Sequence, residues 1–157
     1  MFKAKQKLAF SLIELSVVIL IIGILVLGVT QGSRMMKEAK LKSARSLTSS
    51  SPVTSIPSLS MWLDSTAERS FDDAERVGGG TISNWYNVNP QSSDNKINNV
   101  AQTTPTKKPL YVVNGIGGLP SIRFDGANNY LSIASNSTVD LPTSNNPRTL
   151  FVVFGNA

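Results

Sequence analysis

FSLIELSVVILIIGILVLGV, residues 10–29, decides the architecture of this chain. Fifteen of these 20 residues are apolar, and the exceptions are Ser11, Glu14, Ser16, Gly23 and Gly28. As a helix, 20 residues span about 30 Å, the thickness of a bilayer's hydrocarbon core. Three readings of the run compete. A cleaved secretory signal fits the lysines ahead of it. Against that reading, the run is long, its exit GVTQGSRMMK is not A-x-A-like, and a carboxylate sits inside it. The second reading is a plain uncleaved anchor. The third is a span in which Glu14 has a purpose, because an acid inside a membrane costs roughly 2–4 kcal/mol and usually has a partner.

Charge is segregated around the run. Lys3, Lys5 and Lys7 give residues 1–9 a charge of +3, and residues 34–50 carry +4 from Arg34, Lys37, Lys40, Lys42 and Arg45 against Glu38. The remaining residues, 51–157, hold seven bases and eight acids, so the overall +5 belongs to the two flanks of one apolar segment. That is the pattern of a membrane segment, whereas a nucleic-acid binder spreads basic and aromatic residues over a folded face. No nucleic-acid partner is expected. The mean hydropathy near zero is an average over two unlike halves.

The 157 residues contain no Cys and no His. A disulfide-stapled head, a thiolate metal site, a cysteine nucleophile and a Ser-His-Asp triad are therefore excluded within the chain. Asp64, Asp125 and Asp140 supply Ca²⁺-type oxygens but lack the spacing of a defined calcium loop. The expectation is a chain that is not an enzyme, with no cofactor and no metal site. A glucanase-type site would need a paired-carboxylate cleft, and Glu68 and Glu75 lie in a loop-like acidic stretch.

The string K-L-A-F-S-L-I-E-L-S-V-V-I-L-I-I-G-I-L, residues 7–25, closely resembles the prepilin-type cleavage and methylation motif of type IV pilins and type II secretion pseudopilins. The likeness covers about residues 1–45. It implies a basic leader, residues 1–9, that a prepilin peptidase removes by cutting between Ala9 and Phe10. It also implies N-methylation of Phe10 and an assembly role for Glu14, paired with the N-terminal amine of a neighbouring subunit. An ammonium and a carboxylate neutralise each other far better than either is tolerated alone in lipid. Ala9 stands where the family usually has Gly, and Gln31 where many members carry a kinking Pro. The leader places the N-terminus in the cytoplasm. The +4 segment after the span opposes that rule, and the resemblance resolves it with the head outside.

Residues 33–47 are good helix formers without Gly or Pro, with Glu38 and Lys42 as an i, i+4 pair. The basic face reads as solvated. A transmembrane and stalk helix over residues 10–47 follows, of roughly 50 Å. Residues 48–58 read as a Ser/Thr/Pro linker, with Pro52 stopping the helix. Beyond them, residues 59–63, 81–86, 110–113, 121–125, 130–134 and 149–154 read as short strands separated by Gly, Asn and Pro. Thr149–Phe154 is apolar enough for a central strand. The expected fold is α+β: a long N-terminal transmembrane helix followed by a β-rich, sandwich-like head over residues 59–157.

The series M-W-L-D at 61–64, G-G-G-T-I-S-N-W at 78–85 and N-G-I-G-G-L-P-S-I-R-F-D-G-A-N-N-Y-L at 114–131 resembles the opening of a concanavalin A-like (laminin-G-like) jelly roll. The resemblance implies two sheets with Trp62 and Trp85 between them and Arg123 paired to Asp64 or Asp125. It also implies glycan binding as an alternative role. A jelly roll needs about eight strands, more than residues 57–157 supply, so the head is expected to be either a truncated one, the favoured reading, or a smaller sandwich. The leading expectation is a pilin-like or pseudopilin subunit of a type IV pilus or type II secretion pseudopilus. It would lie in the bacterial inner membrane as a single pass and then in the filament. Its partners would be prepilin peptidase, other pilin or pseudopilin subunits and membrane lipid. The alternative is a membrane-anchored adhesin with a glycan ligand.

Overall fold

The structure is a computed structural model, and it describes residues 11–92, 98–133, 141–142 and 145–155. The chain divides into two compact units, Met1–Ala39 and Lys40–Ala157. One long apolar helix is followed by small antiparallel sheets, an α+β arrangement.

Helix α1 runs Leu12–Ser49, 38 residues with none buried. It is long and apolar enough to cross a membrane. The polar side chains in its first part are satisfied locally. Ser16 Oγ donates to Ile13 O (2.9 Å), Thr30 Oγ1 to Leu27 O (2.9 Å) and Ser33 Oγ to Val29 O (3.0 Å). Such back-bonding removes most of the cost of a hydroxyl in lipid. The helix passes Gln31 unbroken, as the missing proline leads one to expect. At its end Ser49 and Ser50 hydroxyls donate to the carbonyls of Arg45 and Ser46. Ser51 is extended (φ −71°, ψ 152°), the conformation that a following proline imposes, and Pro52 opens a 3₁₀ turn, Pro52–Ser55.

The second unit holds five short strands. β1 (Asn84–Trp85), β2 (Val100–Ala101) and β5 (Ser132–Ile133) form one antiparallel sheet in the order β1-β2-β5. In its register Trp85 faces Val100 and Val100 faces Ile133. β3 (Leu110–Val112) pairs with β4 (Ser121–Arg123), Tyr111 opposite Ile122. Gly117 and Gly118 turn the chain between them at φ 61° and 76°, a region that side chains disfavour. The buried cluster is Phe71, Ile82 and Tyr111, with Trp85 and Ile122 packed against it. Phe71 meets Tyr111 edge-on at 5.5 Å between centroids and Trp85 at 5.6 Å. Burying each such side chain stabilises the fold by about 1.5–3 kcal/mol.

Several strand expectations are corrected. Residues 59–63 form no ladder. Their backbone is instead held by asparagine side chains, with Trp62 N–H donating to Asn87 Oδ1 (2.9 Å) and Asn98 Nδ2 donating to Ser60 O (2.8 Å). Short polar side chains that reach backbone groups compete with a strand ladder. The stretch 149–154 is not a central strand: it is unpaired, and Leu150 to Phe154 are 63–89% exposed. No strand among the described residues lies beside it to complete its hydrogen bonds. Trp85 joins the core as expected, but Trp62 lines a cleft. Arg123 pairs with neither aspartate among the described residues. Asp64 accepts from Thr66, and Asp125 accepts from the amides of its own turn. One three-stranded and one two-stranded sheet do not make a jelly roll, and that part of the expectation lacks support.

Candidate functional site

The candidate site is the start of α1. Ala9 and Phe10, the expected cleavage and methylation residues, lie outside the described residues. Glu14 lies in the first turn of the helix. Its Oε2 accepts a hydrogen bond from the Ser11 amide at 2.8 Å, and Ser11 Oγ accepts from the Ile13 amide at 3.4 Å. Ser11 O takes the first helical bond, from Leu15 N–H (3.2 Å). Serine before the helix and glutamate three residues on make a capping box, which satisfies amides that no helical carbonyl can reach. The negative carboxylate at the positive end of the helix dipole adds to this. Glu14 thus has a partner in its own chain, a role that the spacing S-x-x-E signals and that the assembly reading passes over.

From Leu15 to Ser33 the helix carries no charged residue. Residues 4–30 match the family model for the prokaryotic N-terminal methylation motif. The chain carries a prepilin-type N-terminus. The motif implies processing by prepilin peptidase and assembly with other pilin subunits, and with the apolar helix it points to membrane anchoring. The match covers residues 4–30 and none of those from residue 31 onward. No curated protein and no solved structure matches the chain.

In the second unit, two cations of α1 contact the residues that follow it. Lys40 Nζ donates to Gly117 O (2.5 Å) in the β3–β4 turn. Arg45 Nε donates to Thr66 O (2.7 Å), and its Nη1 pairs with Glu68 Oε1 (2.5 Å). The basic segment 34–45 is therefore only partly a solvated face. Gln91 Nε2 donates to Thr54 O (2.9 Å) and Ile56 O (2.8 Å), which fixes the proline-containing segment after the helix. These contacts arise from residues far apart in sequence, and composition does not reveal them.

Two side-chain equilibria in this unit are displaced. Burial, and next the charge and hydrogen bonding of Asp72, raise the Tyr86 phenol above its ordinary 10.0. Hydrogen bonds from the amides of Asn129, Ala127 and Asn128 hold the exposed Asp125 carboxyl below its ordinary 3.8. Both are structural arrangements of loops. Among the described residues, no group of three His, Cys, Asp or Glu is placed to hold a metal ion.

Proposed function

We propose that this chain is a pilin-like or pseudopilin structural subunit with a non-catalytic role. It enters the bacterial inner membrane with its N-terminus in the cytoplasm and its head outside. Prepilin peptidase cuts between Ala9 and Phe10 and methylates the new amine of Phe10. The mature subunit packs laterally through α1 into a type IV pilus or a type II secretion pseudopilus. The observation that carries this reading is the methylation-motif match over residues 4–30, continued by an unbroken helix in which Glu14 is the acid before Ser33.

Glu14 serves the assembly step in this scheme. Before packing, its charge is held by the Ser11 amide. On packing, the ammonium of a neighbouring Phe10 offers a full opposite charge, a stronger partner than a neutral amide. The exchange sets the axial register between helices. Expression with and without prepilin peptidase, followed by intact mass of the membrane-extracted protein, tests the reading. Peptidase-dependent loss of residues 1–9 supports it, and an uncut chain in both strains contradicts it.

A further inference from the structure

Residues 150–154, LFVVF, are 63–89% exposed, and no strand among the described residues pairs with them. A contiguous apolar run on a surface marks an interaction site. The second unit also carries an apolar groove of about 400 Å³. Trp85 and Val100, opposite each other in the β1–β2 register, line it together with Leu131, Phe124 and Tyr130. Val100 is buried, whereas Phe124 and Tyr130 are 45% and 47% exposed. We propose that residues 150–154 of one copy of the chain seat in this groove on a second copy. The proposal rests on the membrane-spanning character of α1 and not on cleavage or methylation at the N-terminus.

The two surfaces match in chemistry. Neither contains a charged side chain, and apart from Asn129 and the Tyr130 hydroxyl the groove's lining is apolar. A charged partner would lose hydration against this wall without gaining a counter-charge. Phe151 and Phe154 bring rings to the half-exposed rings of Phe124 and Tyr130. Aromatic side chains seated in a pocket dominate the energy of such contacts.

The chain's own segment does not fill the groove: it is exposed and takes no part in the lining. Gly155, at its end, sits against Ile116 in the β3–β4 turn, where an added Cβ would lie 3.4 Å from Ile116 Cγ1. Ser121 of β4 adjoins that turn, and Phe124 follows Arg123 at the opposite end of the strand. The tether of the segment and the groove thus lie towards opposite ends of the hairpin. A second copy supplies what is missing on both sides, because every copy has one segment and one groove. Helix α1 is long and apolar enough to hold copies in one membrane, which raises their effective concentration. Contact between two unlike surfaces repeats from copy to copy, into a ring or an open chain of heads.

The chain has no cysteine, so single introduced cysteines report contacts without background. Thr149→Cys and Asn128→Cys flank the segment and the groove at exposed positions. Full-length copies carrying one substitution each, with different tags, are co-expressed in a strain without prepilin peptidase. That strain removes filament packing as a cause of proximity. A short bismaleimide is expected to give a mixed-tag adduct in the membrane fraction. Phe151→Asp on the first copy, or Phe124→Asp on the second, is expected to lower its yield at least tenfold. Val77→Asp, at an exposed apolar position elsewhere, is expected to leave it unchanged. Four results overturn the proposal: no mixed-tag adduct, an adduct that survives Phe151→Asp or Phe124→Asp, equal loss with Val77→Asp, or an adduct of Asn128→Cys with another protein alone. A chain carrying both cysteines that cross-links only within itself overturns it as well, since its own segment is then the occupant.

Discussion

The carboxylate of Glu14 accepts a hydrogen bond from the backbone amide of Ser11 at 2.8 Å. The acid inside the apolar run therefore closes the first turn of the helix. A buried or lipid-facing carboxylate without a donor would be far more costly. Glu14 lies in the first turn of α1, the end at which the proposed assembly scheme brings a neighbouring amine.

Substituting Glu14→Leu removes both the cap and the charge. Loss of a cap costs about 1 kcal/mol of helix-end stability, which a long apolar helix tolerates. Membrane insertion is expected to persist and incorporation into filaments to fall sharply. Quantifying the subunit in membrane and sheared-filament fractions checks this, and wild-type incorporation of the mutant counts against it. Ser11→Ala, which keeps the amide donor, is expected to assemble nearly normally.

Arg45 and Glu68 are unequal partners. Their side chains are 29% and 71% exposed, and Arg45 also donates to the Thr66 carbonyl. An exposed ion pair contributes up to about 1 kcal/mol, whereas a charged hydrogen bond contributes about 1.5–3 kcal/mol. Glu68→Gln is expected to lower stability by less than about 1 kcal/mol, and Arg45→Ala by about 2–3 kcal/mol. Denaturant unfolding of the detergent-solubilised chain, followed by near-UV circular dichroism, separates the two. Equal losses would refute the assignment.

Asn87 is buried, and its Oδ1 accepts from the amides of Trp62 and Asn89. Asn87→Leu leaves both amides without that acceptor, at about 1–3 kcal/mol each. Gln91→Ala removes the exposed bonds to Thr54 and Ile56, and water replaces them, so less than about 1 kcal/mol is expected. Limited proteolysis within residues 54–62 reports the difference. Cleavage there is expected to rise strongly in the first variant and slightly in the second.

Asp125 links stability to acid. Its carboxyl is held below 3.8 in the folded chain by three turn amides. A depressed folded pKa stabilises the fold above the unfolded value, and that contribution is lost as pH falls through the folded one. Asp125→Asn keeps an acceptor oxygen but no titration. Below about pH 4 the wild type is expected to lose stability more steeply than this variant, as thermal melts across that range will show. Parallel curves would rule out the linkage.

Parts of this fold are legible in the sequence. The helix is read from an apolar run without proline, and it ends at Ser49 because Pro52 follows. β3, β4 and β5 fall inside the runs expected for them. β2 is missed because Val100–Ala101 is too short for a period-2 signal. The segment 59–63 reads as a strand because its pairing comes from Asn87, Asn89 and Asn98, which are distant in sequence. Core residues Phe71 and Tyr111 stand out from no periodic stretch. At the N-terminus Glu14 is legible as an anomaly. Its bond to Ser11 is also encoded in the spacing, but the stronger membrane signal masks it.

The most direct measurement is the N-terminus of the mature protein. Intact mass and N-terminal sequencing of the membrane-extracted chain should give N-methyl-Phe10 as the first residue, with residues 1–9 absent. A chain that still begins at Met1 in a strain with active prepilin peptidase would contradict the account, leaving α1 as a plain anchor.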